Sequence, residues 1–164
     1  MRRFRLSLCS LLIVLLTACE GTTFRSTVPA YPVRVSINTK MGEFVHFQPT
    51  SLGAYIIANR EGIFMDGKYI LPLPATDAYG YGGVLIYVDL YGYSAYDLAC
   101  PYCASHNQCH PCIVDGSNAV CPVCGETYDV LSGTAAPQKG LINETLRRLN
   151  VMNADGKLTI TQRQ

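Results

Sequence analysis

Two Cys-x-x-Cys units, Cys100-Pro101-Tyr102-Cys103 and Cys121-Pro122-Val123-Cys124, stand 17 residues apart. Each unit is a tight turn that aims two sulfurs at one point. Two such knuckles facing each other make a cage of four thiolates, the donor set that zinc, a single iron or an iron–sulfur cluster requires. No other part of the chain offers competing chemistry. There is no nucleophile–base pattern, no phosphate-cradling glycine loop and no pair of catalytic carboxylates, so an enzyme is not expected. Asp97 and Asp129 flank the knuckles and read as turn residues that satisfy backbone amides.

The N-terminus reads as a targeting segment. Arg2, Arg3 and Arg5 precede the apolar run Leu11–Leu16, and Leu16-Thr17-Ala18-Cys19 closes it with small residues leading into a cysteine. The run is too short to span a membrane as a helix, so residues 1–18 are expected to be a secretory signal. The cysteine at the cut site resembles that of bacterial lipoproteins, with Cys19 as the lipidated first residue of the mature chain. A lipid anchor of this kind puts the domain outside the cytoplasm, in the cell envelope, with the outer membrane as the expected site. Residues 19–32 are expected to be a flexible tether.

The whole chain has 13 Lys+Arg against 12 Asp+Glu. The signal holds three of the arginines and no acid, which leaves the mature chain at a net −2. No basic stripe survives, so nucleic acid is not an expected partner. What remains is about one domain's length, residues 33–164. With Cys9 in the signal and Cys19 given to lipid, the other six of the eight cysteines all fall between residues 100 and 124. A stapling framework of disulfides would spread its cysteines along the chain; these gather around one point.

The remaining signals are mostly those of strands. Val33–Ile37 alternates apolar and polar, and Phe44–Phe47 and Tyr55–Ala58 are further candidates. Phe64–Ile70 reads as a hairpin turning at Asp66-Gly67, and Leu149–Val151 with Leu158–Ile160 as another turning at Asp155-Gly156. Val84–Val88 is a continuous β-branched and aromatic run, expected as a central strand. Leu141–Arg148 is expected as a short helix. The cluster Tyr79, Tyr81, Tyr87, Tyr91, Tyr93 and Tyr96 is expected to pack sheet faces. Many short strands with Gly/Pro punctuation point to an all-β fold, a small antiparallel sandwich or barrel.

The stretch Cys121-Pro122-Val123-Cys124-Gly125-Glu126-Thr127-Tyr128-Asp129, followed by Ser132-Gly133-Thr134-Ala135-Ala136-Pro137, resembles the second cluster-binding loop of Rieske domains, Cys-Pro-x-His-Gly-Ser-x-Phe-Asp with a Thr-Gly-x-Pro turn. Ala99-Cys100-Pro101-Tyr102 sits where that family has its first loop, and Leu146–Ile160 resembles its last strands. The resemblance implies a Rieske-like fold over residues 33–164, with metal-binding loops at 99–126, and one-electron transfer at a [2Fe–2S] centre with a redox partner at the exposed tip. The family uses two cysteines and two histidines. Here Cys100 and Cys121 match the cysteine ligands, Tyr102 stands at the first histidine position, and Cys103 and Cys124 would replace the imidazoles. Four thiolates make a rubredoxin-like, ferredoxin-like or zinc-ribbon-like site.

Three occupants remain open on chemistry: a [2Fe–2S] cluster, a single zinc or iron ion, or disulfides with no metal. Zinc or disulfides would make the domain a structural or binding module without redox activity. An unfolded exported chain would leave the cytoplasm without a cluster built there. Cys109-His110-Pro111-Cys112 is a third Cys-x-x-Cys unit, expected as a loop disulfide or labile redox pair. His106 and His110 are expected to be solvated rather than ligands.

Overall fold

The computed structural model describes residues 26–163. The signal segment 1–18 and Cys19 lie outside the described residues. The fold is nearly all β, in three antiparallel sheets. The largest is built from β2 (Tyr55–Asn59), β3 (Gly62–Met65), β4 (Lys68–Leu71), β6 (Val84–Asp89) and β7 (Gly92–Asp97), in the order β4-β3-β2-β6-β7. A second runs β12-β13-β1-β5, from β1 (Val33–Asn38), β5 (Ala78–Tyr79), β12 (Asn150–Ala154) and β13 (Lys157–Thr161). A third runs β11-β10-β9-β8, from β8 (Ile113–Asp115), β9 (Asn118–Val120), β10 (Thr127–Asp129) and β11 (Ala136–Pro137).

The run Val84–Val88 explains the architecture. Every residue of β6 is buried. Val84, Ile86 and Val88 face a core shared with Val35, Ile37, Leu158 and Ile160 of the second sheet. Leu85 and Tyr87 face a second core with Tyr96, Tyr128, Val130 and the cysteines. A strand covered on both faces cannot alternate, and its sequence does not. The knuckles therefore hang from the far face of the sheet that closes the main core.

Both expected hairpins form. Asp66 (φ 48°) with Gly67 (φ 81°), and Asp155 (φ 52°) with Gly156 (φ 78°), take the left-handed pair of angles that a two-residue turn needs. Two expectations fail. Phe44–Phe47 is no strand: Gly42–His46 forms a 3₁₀ turn, in which Phe47 N–H donates to the Phe44 carbonyl at 2.9 Å. Phe44 and Phe47 are buried while Val45 is exposed, a spacing of three rather than two. Leu141–Arg148 is not a helix, because its backbone groups are taken by other elements. Leu146 N–H donates to Ala135, Asp97 N–H donates to Arg147, and Arg148 bridges Tyr96. The only α-helix among the described residues is α1 (Pro101–Ser105), inside the first knuckle.

The part of the expected tether that falls among the described residues packs on the domain. Val28 is buried and its carbonyl accepts Arg147 Nη1 at 2.9 Å. Thr27 Oγ1 donates to the Pro101 carbonyl at 2.9 Å, and the Tyr31 ring lies 5.1 Å from that of Tyr81, tilted by 33°. Most of the tyrosine cluster packs as expected: Tyr87 and Tyr96 are core residues, and Tyr93 stacks on Phe47. Tyr91 does not, at 86% exposed.

Candidate metal centre

The first knuckle begins where β7 ends. Cys100 is extended (φ −66°, ψ 120°) and caps α1, with Pro101 at the first helical position, where its missing N–H costs nothing. One turn of helix then brings Cys103 beneath Cys100. The second knuckle is the turn joining β9 to β10. Gly125, at φ 72°, donates its N–H to the Cys121 carbonyl at 2.9 Å, and Cys121 N–H donates to the Glu126 carbonyl at 2.8 Å.

The two knuckles meet. Cys100 Sγ lies 3.6 Å from Cys124 Sγ, and Cys103 Sγ lies 3.7 Å from Cys121 Sγ. All four sulfurs lie within 4.8 Å of one another. Cys100, Cys103 and Cys121 are buried, while Cys124 is half-buried and opens the cage to the surface. A tetrahedral ion with metal–sulfur bonds of about 2.3 Å has sulfur–sulfur edges of about 3.8 Å. In a [2Fe–2S] cluster the thiolates part into pairs on separate irons, and sulfurs on different irons stand about 5.5 Å apart or more. The two short sulfur–sulfur distances match the edge of a tetrahedron around one ion, and a [2Fe–2S] cluster would be seated by the same four sulfurs with the two pairs further apart.

The surroundings divide the four sulfurs unequally. Polar neighbours hold the Cys100 thiol down to about 4, the buried Cys112 thiol first and also Tyr128, whose hydroxyl lies 3.5 Å away. Cys124 accepts the Glu126 N–H at 3.5 Å, yet burial pushes its thiol up to about 11. Burial pushes the Cys103 thiol well above the ordinary range. The Tyr128 hydroxyl is raised by burial and by the sulfur it faces.

Two buried carboxylates brace the knuckles. Asp97 accepts the N–H groups of Tyr81 at 2.7 Å, Gly82 at 2.8 Å and Ala99 at 2.9 Å, tying the tyrosine loop to the base of the first knuckle. Burial raises its carboxyl above the ordinary value. Glu126 accepts Lys139 N–H at 3.0 Å and Leu141 N–H at 2.9 Å, drawing that segment against the second knuckle. Asp129 accepts Leu131 and Ser132 N–H groups, a turn residue as expected.

All six cysteines from 100 to 124 are free thiols in this structure. Cys109 and Cys112 both line a cleft of about 720 Å³ behind the first knuckle, but their surroundings differ. Cys109 donates to the Tyr81 carbonyl at 3.3 Å, whereas Cys112 is buried in the core cluster that also holds Cys100 and Cys121. Burial and Asp97 push the Cys109 thiol up, the opposite of what a reactive thiol needs. His106 hydrogen-bonds the Tyr102 carbonyl through Nδ1 and stays outside the cage. His110 is likewise no member of it. Nothing in the spacing of the cysteines points to the roles of Tyr128 and Glu126, or to the burial of Cys112 beside the cage. Tyr128 and Glu126 lie in the stretch that resembles the second Rieske loop, at fixed distances after Cys124, which is the signal that could have drawn them out.

The class so defined is an all-β domain carrying a four-thiolate cage. No protein-family model and no curated protein sequence matches the chain. Among solved structures, the chain is similar to the ferredoxin of carbazole 1,9a-dioxygenase from Nocardioides aromaticivorans IC177, at 17% identity and a TM-score of 0.42, covering 80% of this chain and 98% of that one. It is also similar to a chain from the complex of reduced oxygenase and oxidized ferredoxin in carbazole 1,9a-dioxygenase, at 15% identity and a TM-score of 0.43, covering 82% and 95% respectively.

Proposed function

We propose that this protein is a lipid-anchored envelope domain in which Cys100, Cys103, Cys121 and Cys124 hold one tetrahedral metal ion, zinc or iron. The observation that carries the reading is the spacing of the sulfurs, 3.6 and 3.7 Å across the two knuckles, close to the edge of a four-thiolate tetrahedron. Such an ion cross-links the helix turn of the first loop to the β-turn of the second. Its binding free energy then becomes folding free energy for this end of the domain. The anchor is Cys19, and its reading rests on the signal pattern alone.

Iron in the same cage is a one-electron carrier, and two observations favour that role. Cys100 and Cys124 both accept hydrogen bonds, which take charge off thiolate ligands and raise a reduction potential. Val123, between the second pair of ligands, is 59% exposed and offers an apolar contact for a redox partner beside the half-buried Cys124. Such a partner would dock at the cysteine loops, as the resemblance to Rieske domains also implies.

Refolding the apoprotein with zinc or ferrous iron, one metal at a time, tests the cage. Uptake of one ion per chain with a rise in melting temperature is expected, and Cys100→Ser and Cys121→Ser should each abolish both. Unchanged metal content and melting temperature in those variants would remove the cage from consideration. An iron-loaded protein with no reversible one-electron wave would leave the metal a structural role only. Retention of a Cys19→Ala variant in the membrane fraction would contradict the anchor.

A further inference from the structure

The N-terminal segment meets the domain beside the first knuckle. Thr27 Oγ1 donates to the carbonyl of Pro101, between Cys100 and Cys103, and Thr27 N–H donates to the Glu144 carboxylate. Val28 is buried and its carbonyl accepts Arg147 Nη1 at 2.9 Å, so this point of entry is fixed to the domain. Seven peptide links join Cys19 to Ser26, a reach of about 25 Å at full extension. A lipid on Cys19 therefore draws the knuckle end of the domain toward the membrane.

That end carries exposed apolar side chains. Val123, between Cys121 and Cys124, is 59% exposed. Leu141 is 50% exposed, and its N–H is held by Glu126, two residues past Cys124. The Lys139 ammonium stands beside the same turn, 3.1 Å from where a Cβ on Gly125 would lie. Residues 139–144 thus run from the second knuckle, held through Glu126, to the entry point at Thr27, held through Glu144.

The opposite pole is apolar too. Leu90 and Tyr91, 62% and 86% exposed, lie in the turn between β6 and β7, where Leu90 N–H donates to the Leu131 carbonyl. From that turn β7 runs six residues to Asp97, a rise of about 20 Å, before the first knuckle begins. For this turn to touch the membrane, the link from Cys19 would have to be drawn nearly straight, at the cost of its conformational entropy. Exposure does not choose between the two poles; the point of attachment does.

We propose that the knuckle end rests on the membrane surface, with Val123 and Leu141 in the boundary between headgroups and acyl chains and Lys139 among anionic headgroups. The inference rests on the Cys19 anchor proposed above and is independent of which metal fills the cage. Shallow insertion of apolar side chains adds to the hold of a lipid and fixes the orientation of the domain. Lysine suits the boundary, because its stem lies along apolar groups while its charge stays at the level of the phosphates. A redox partner that reaches Cys124 must then lie in or on the same membrane.

The chain has no tryptophan, so one substitution supplies a single reporter. Val123→Trp and Leu141→Trp place it at the knuckle end, and Tyr91→Trp, with the same preference of tryptophan for interfaces, places it at the other. Each full-length lipidated variant is reconstituted in vesicles of phosphatidylethanolamine and phosphatidylglycerol, with plain or brominated acyl chains. Comparing the two vesicle types cancels quenching by a bound metal. Val123→Trp and Leu141→Trp are expected to emit further to the blue than in detergent-free buffer and to lose most of their emission to the brominated chains. Tyr91→Trp should keep its emission. Should one knuckle variant fail to fold, the other gives the same reading. Vesicle-bound protein whose knuckle tryptophans are not quenched, or whose Tyr91→Trp is quenched as strongly, would overturn the inference and leave the anchor standing. A concentration-dependent blue shift of the knuckle tryptophans without vesicles would overturn it in favour of a second copy of the chain. Wild-type protein that does not stay with the vesicles would overturn the anchor and the inference together.

Discussion

Glu126, fully buried, accepts the backbone N–H of Leu141 at 2.9 Å, so a side chain two residues past the second knuckle holds down a segment 15 residues further on. Its other oxygen takes Lys139 N–H at 3.0 Å. Removing this carboxylate leaves those amides without an acceptor. Glu126→Ala is expected to cost about 2 to 4 kcal/mol in denaturant unfolding. Glu126→Gln, which keeps one acceptor, should cost less than alanine. Equal stability of the alanine variant and the wild type would mean that the segment 139–141 does not depend on this clamp.

The loop carrying Tyr81 lies so close to the first knuckle that only glycine fits at position 82. A Cβ there would sit 2.3 Å from the Ala99 nitrogen and 2.6 Å from its Cα, both backbone atoms that cannot turn aside. Gly82→Ala is therefore expected to destabilise the domain by at least about 2 kcal/mol. Because Ala99 adjoins Cys100, it should also weaken metal retention under a competing chelator. A stable variant with unchanged retention would show that the two loops can part without cost.

Metal uptake should depend steeply on pH, and the sign follows from the thiols. In the metal-free protein the Cys100 thiol, at about 4, is already ionised at neutrality. Cys103 and Cys124 are pushed upward by burial and keep their protons there. Binding a divalent ion must expel at least those two protons, so affinity rises with pH. The apparent association constant for zinc is expected to climb by at least about two orders of magnitude per pH unit around neutrality. Titration in buffers of different ionisation enthalpy reads the proton release directly. A pH-independent affinity would mean that the thiols of the free protein are already ionised.

Much of this was legible in the sequence because it depends on local chemistry. Asp66-Gly67 and Asp155-Gly156 can adopt positive φ, so both hairpins could be read from two residues each. Cys100, Cys103, Cys121 and Cys124 could be read from spacing. What could not be read depends on contacts between distant segments. Leu141–Arg148 has helix-forming residues, but Ala135, Tyr96 and Asp97 take its backbone groups, and tertiary pairing overrides propensity. The surroundings of Cys112 were hidden for the same reason. Its own Cys-x-x-Cys spacing suggests a bond to Cys109, and only the pairing of residues 98–100 with 110–112 sets it on the buried face that carries Cys100.

The central claim is that four thiolates hold a single ion. Metal and acid-labile sulfide content of the protein, purified anaerobically from the envelope of its own host, tests it most directly. One zinc or iron per chain with no labile sulfide is the expected result. Two irons with two sulfides would contradict it, showing that the knuckles part to seat a [2Fe–2S] cluster; a metal-free chain with its sulfurs oxidised would contradict it as well.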